Sequence, residues 1–231
     1  VKSVGASYGY STQDMRASRM AGKSLDVRKA ESARYQIERL SNKIAWAGDE
    51  ENNIMGILSK SNDIPLYVLP ADGTDEASKP STQWKDKTAD QILADITGMM
   101  KQVAKVTKNV EKPDTLALPS SVYIDLSTRR IPDTGITVLK FIMDNAPYLK
   151  NIYDISEIES DSEETNPYSD TDSAVALLYT NDPKKLTIET PLNFYQYPLQ
   201  NKGLEVIVPC EQRVAGAVIY YPLSALIAVG I

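Results

Sequence analysis

Between Ala30 and Ile44 the apolar residues Ala30, Ala33, Ile37, Leu40 and Ile44 recur at spacings of three and four. That is the period of a long helix burying one stripe along its length. Ser24 stands where an N-cap would, Asp26 falls in the first turn, where the helix dipole favours a carboxylate, and Gly48 offers a stop. The predicted helix therefore runs from Ser24 to Ala47. Its other face carries Arg28, Glu31, Arg34, Glu38 and Arg39. Arg28–Glu31 and Arg34–Glu38 are spaced to pair, at about 0.3 kcal/mol each. Single charges on such a face are ordinarily solvated. On a helix this long and this densely charged, contact with a neighbouring subunit is the second reading, and these five residues are the candidate interface.

Around this helix the sequence changes character along its length. Lys2 to Tyr10 suits an extended strand or loop return, and Thr12 to Met20 a short helix using Met15 and Met20 as contacts. Ile54 to Leu58 is an apolar turn and Ile64 to Leu69 a strand. Thr88 followed by Gln91 has the pattern of a capping box. It opens a helix with the stripe Ile92, Ile96, Met99, Val103 and Val106. A strand at Leu116 to Leu118 ends at Pro119, and helices are predicted over Ser120 to Thr128 and Thr134 to Asn145. Tyr148 to Ile158 is strand-like. From Ala174 onward five strands are predicted: Ala174 to Tyr179, Leu186 to Pro191, Leu204 to Val208, Val214 to Tyr221 and Ala225 to Val229. Helices dominate the first part and strands the last, which is the order of an α+β protein.

Catalytic chemistry finds little material here. The 231 residues contain no histidine, which removes the commonest general base and metal ligand. The one cysteine, Cys210, allows no intrachain disulfide and reads as a small buried hydrophobe. Gly22-Lys23-Ser24 resembles the end of a P-loop, but the glycine required five residues earlier is Ala17. A turn plus an N-cap is the simpler reading. The run holding Asp154, Glu157, Glu159, Asp161, Glu163, Glu164, Asp170 and Asp172 has no intervening base. It matches neither an EF-hand nor a fixed carboxylate pair, so it reads as an exposed acidic loop. The expectation is no catalytic residue, no cofactor and no metal. A formal net charge of −6 argues against nucleic acid as the primary ligand. The apolar stretch from Val214 to Ile231 is interrupted too often for a membrane span. The start at Val1, without an initiator Met or signal-peptide layout, suggests a fragment or a processed product.

The order of elements carries a resemblance. Tyr8-Gly9-Tyr10-Ser11-Thr12-Gln13-Asp14-Met15, then Leu25-Asp26-Val27-Arg28-Lys29-Ala30, resemble the segment after the extended loop and the spine helix of tailed-bacteriophage major capsid proteins, the Hong Kong-97 fold. Met55-Gly56-Ile57-Leu58, Trp84 with Lys87-Thr88, Thr115 to Pro119, Ala176 to Tyr179, Leu186 to Glu189 and Ile219 to Pro222 continue the series over nearly the whole chain. The resemblance implies a long spine helix, a peripheral β-rich domain over residues 1–63 and 183–213, and an axial domain of sheet plus flanking helices over 64–182 and 214–231. It implies a structural, non-enzymatic coat protein of a phage or prophage. Copies would form pentamers and hexamers, enclosing DNA without binding it specifically, in a virion assembled in the bacterial cytoplasm and without a membrane. The family's N-terminal arm and most of its extended loop have no counterpart here, and no lysine–asparagine cross-linking pair is matched. An encapsulin-like compartment is the alternative; a nucleotide-binding enzyme using Lys23 is a more distant one.

Overall fold

A computed structural model describes residues 1–22, 27–75, 77–160, 166–168 and 174–231. Along the chain run β1 (Lys2–Ser11), α1 (Thr12–Ala21), α2 (Arg28–Ala47), β2 (Gly48–Asp49), β3 (Ile54–Met55), β4 (Leu66–Val68), β5 (Gly73–Thr74) and β6 (Pro80–Ser81). Next come α3 (Ala89–Val106), β7 (Thr115–Pro119), α4 (Ser120–Thr128), α5 (Val138–Asn145) and β8 (Asn151–Ile155). The chain closes with β9 (Val175–Tyr179), β10 (Leu186–Glu189), β11 (Leu192–Gln196), β12 (Gln200–Lys202), β13 (Glu205–Val214), β14 (Gly216–Ile219) and β15 (Ala225–Val229). The residues divide into two compact units, one of Val1–Gly56 with Ile188–Val218, the other of Ile57–Thr187 with Ile219–Ile231.

In the first unit a sheet of order β1-β13-β11, with β12 further along β13, receives α2 on one face. Ile37 of the predicted stripe packs on Val208 and Cys210, flanked by Val4, Ala6, Tyr8 and Phe194. Ile44 meets Ile54 and Val214. Leu40, predicted in the stripe, is 45% exposed; three residues on from Ile37 it is rotated about 60° off the buried line. Met20 is also exposed, at 91%, so the packing expected of it is not made. The hairpin of β2 and β3 closes so tightly that a Cβ on Gly56 would lie 2.2 Å from the Gly48 backbone nitrogen.

The sequence predicts one strand ending at Val208 and another beginning at Val214, yet β13 runs from Glu205 through Pro209 to Val214. The Pro209 carbonyl accepts from the Tyr197 N–H, so the missing proline donor faces that same side. There the neighbouring strand is broken between Gln196 of β11 and Gln200 of β12. Pro209 thus costs the sheet no ladder bond with β1. Strands β11 and β12, hidden among Pro191, Pro198 and polar residues, were not predicted.

In the second unit the sheet order is β4-β15-β9-β7-β8, with β7 parallel to β8 and antiparallel to β9. Leu116 and Leu118, Ala176 and Leu178, and Leu226 and Ala228 share one core with Ile92, Ile96, Met99 and Val103 of α3 and with Leu126 and Ile142. The capping box of Thr88 and Gln91 is formed. Val106, the last residue of the predicted stripe, is 44% exposed. The helix predicted from Thr134 begins only at Val138, capped by Thr137. Before it the chain reverses, with positive φ at Asp133 and Gly135 and a bridge between Arg130 and Thr137.

Candidate functional site

Within the second unit, a cavity of about 390 Å³ is lined by Trp84, Ser121, Val122, Asp125, Glu159 and Ile231 among others. Ser121 is the second residue of α4, and its N–H and hydroxyl both donate to the Glu159 carboxylate, at 2.7 and 2.8 Å. Glu159 therefore ties down the first turn of a helix. With no imidazole in the chain, a serine–histidine relay cannot form at Ser121. No group of three or more potential metal ligands occurs among the described residues. No helix among them is long and apolar enough to cross a membrane.

The most buried charges belong to a structural staple. The Lys87 side chain, fully enclosed, donates to the Pro70 carbonyl, to Asp95 and to Asp72, each at 2.7 Å. All three ammonium donors are used. Asp95 also accepts from the Trp84 indole at 2.9 Å. Burial pushes the Asp95 carboxyl above the usual carboxylate value, opposed by the hydrogen bonds and charge of Lys87 and by Trp84. The sequence reading missed this cluster. Its signal was present: Asp95 lies three residues after Ile92 and four before Met99, on the apolar face of α3.

On the first unit, α2 presents its charged side to solvent. Arg28, Glu31, Arg34, Glu38 and Arg39 are all exposed. Arg34 Nε and Glu38 Oε1 make the predicted i,i+4 pair at 2.7 Å. Arg28, Tyr35 and Arg39 follow the outermost line of the helix, while Glu31, Arg34 and Glu38 lie on one flank. On the sheet face away from α2, Glu211 accepts from Ser3 Oγ at 2.5 Å and from the Tyr197 hydroxyl. These bonds hold its carboxyl below the usual range. Tyr195 and Tyr197 meet edge to face, 5.0 Å between centroids, and both are more than a third exposed.

Other sequence candidates are scattered. Glu157 and Glu159 of the acidic run are half-buried, whereas Asp161, Glu163 and Glu164 lie outside the described residues. Cys210 is buried, and burial raises its thiol pKa. Lys23 and Ser24 also lie outside the described residues. Gly22 serves as the left-handed C-cap of α1, with φ of 60°, so a helix and not a strand leads into the P-loop-like triplet.

A profile of the family described as "Major capsid protein" matches residues 1–231. No curated protein matches. Among solved structures, the capsid of Myoviridae phage XM1 is similar over 100% of this chain and 73% of its own, at 14% identity and a TM-score of 0.74. A virus-like particle from Pyrococcus furiosus is similar over 99% and 76%, at 13% identity and a TM-score of 0.64. The holo-SrpI encapsulin complex from Synechococcus elongatus PCC 7942 matches over 100% and 74%, at 8% identity and a TM-score of 0.52.

Proposed function

The chain belongs to the major capsid protein family, and from that premise we propose that its copies assemble as pentamers and hexamers of an icosahedral phage or prophage head. Its fold is the Hong Kong-97 type that the colinear sequence series implies. The observation that carries the reading is the match of a capsid family over every residue. Fold likeness to the XM1 phage capsid exceeds that to the encapsulin, which favours a coat protein over a cargo compartment. In this reading the protein works by geometry, through many modest interfaces repeated by symmetry, and catalyses nothing. The unit of Val1–Gly56 and Ile188–Val218 is the peripheral domain, and the unit of Ile57–Thr187 and Ile219–Ile231 the axial one. We assign the α2 flank of Glu31, Arg34 and Glu38 to a neighbouring copy. Glu157 and Glu159 of the acidic run belong to the axial domain, where they are half-buried and not on an exposed loop. The assembled protein resides in the virion, after assembly in the host cytoplasm.

The test is electron microscopy of the chain expressed alone in bacteria. Closed shells or capsomer-sized rings are expected; a strictly monomeric protein at high concentration overturns the proposal. The contents of purified particles separate the two shell readings, since nucleic acid fits a head and a cargo protein fits a compartment.

A further inference from the structure

The charge of this chain is unevenly placed. On α1 and α2 basic residues outnumber acidic ones seven to three, while the rest of the chain holds 18 against 28. A chain with a net charge of −6 thus concentrates a cationic surface on α1 and α2 of its first unit. Spacings of seven and four set Arg28, Tyr35 and Arg39 within about 40° of one line on α2, opposite the buried Ile37. The arginines at its ends are roughly 16 Å apart along the axis. The two carboxylates of this helix, Glu31 and Glu38, stand on a flank, where Glu38 is occupied by Arg34. Arg16, Arg19 and Arg39 have no carboxylate within ion-pair distance among the described residues. Between the ridge arginines sits Tyr35, 62% exposed. Arginines interleaved with an exposed aromatic ring suit a phosphate backbone, where guanidinium forks meet phosphate oxygens and the ring packs on sugar or base.

We propose that this α2 ridge, Arg28–Tyr35–Arg39, is a phosphate-binding face through which the coat protein touches the nucleic acid it encloses, without reading its sequence. The inference rests on the coat-protein reading for the identity of the polyanion. It assigns Arg28 and Arg39 to nucleic acid and leaves the Glu31–Arg34–Glu38 flank to protein. The acidic remainder of the chain keeps the contact local, so packed nucleic acid is held without being immobilised.

The experiment titrates the full chain with short mixed-sequence duplex DNA over a series of salt concentrations. It compares the natural protein with Arg28→Gln/Arg39→Gln and with Arg34→Gln, each checked for native circular dichroism. The ridge variant is expected to bind more weakly, with the slope of log K against log salt reduced by about 2; Arg34→Gln should leave the slope unchanged. Equal slopes for all three proteins overturn the proposal. So does a ridge variant that binds DNA normally but no longer self-associates by sedimentation, which makes the ridge a subunit contact. Electron microscopy of the same samples keeps the two readings apart. Shells from a protein with no DNA affinity sink only this inference, whereas DNA binding by a protein that never assembles sinks the coat-protein reading.

Discussion

The two units spend their charged residues in opposite ways. In the second, Lys87 and Asp95 are buried under the helices, and every ammonium donor has a protein acceptor. In the first, Arg28, Glu31, Arg34, Glu38 and Arg39 of α2 are exposed, and the core beneath is a narrow seam around Ile37 and Ile44. The second unit closes on itself, with helices α3 to α5 sharing one core with its sheet. The first covers one sheet face with a single helix and leaves the other, with Tyr195 and Tyr197, facing solvent. A surface can present charge and aromatic rings to a partner only if they are not already consumed internally. That division suits a subunit whose first unit supplies contacts and whose second supplies a rigid body.

The comparison can be broken, most forcefully at Lys87. Lys87→Met leaves Asp95 buried without its counterion and should cost about 3–5 kcal/mol in denaturant unfolding. Adding Asp95→Leu should recover most of that loss, because no unpaired charge remains. A cost below about 1 kcal/mol for the single change would mean that the staple holds nothing together. Core truncations come next. Ile96→Ala belongs near the upper end of the ~2–5 kcal/mol range for such changes, and Ile37→Ala, in the thinner seam, near the lower end. Equal losses in thermal unfolding would erase the claimed difference between the cores.

Acid sensitivity offers a subtler contrast. Burial raises the Asp114 carboxyl, but the Asn181 N–H, Lys150 and Thr115 together more than offset it and hold it below its ordinary value of 3.8. The folded form then binds fewer protons than the unfolded chain in that window. Stability is full above the ordinary value and is lost as pH falls through the folded one. Asp114→Asn should flatten this acid limb in pH-dependent denaturation. Glu211→Gln in the first unit should barely alter it, because its partners are exposed. The smallest effect is expected from Arg34→Ala, about 0.3–0.5 kcal/mol in thermal melts, since the pair it breaks is solvated.

Much of this was legible in the residues. The α2 stripe, the capping box at Thr88 and the strand at Val175 to Tyr179 are local statements, written in periodicity and capping chemistry. Where the reading failed, a partner distant in sequence decided. Pro209 stays in a strand because its neighbour is interrupted opposite it. Thr134 to Thr137 turn back through a bridge to Arg130 in place of starting a helix. The role of Lys87 is decided by the fold, which sets Asp72 and Asp95 around its ammonium.

By itself the sequence determined the absence of imidazole chemistry, the long single-striped helix, the helix-then-strand order and the family they belong to. Each depends on residue identity or on neighbours a few positions apart. Only the tertiary structure decided which charges are buried, and that Arg34 on the flank of α2 is paired with Glu38 while Arg39 on its outward line has no carboxylate in reach among the described residues. Burial and pairing depend on what the rest of the chain brings within a few ångströms, which spacing along the sequence does not encode.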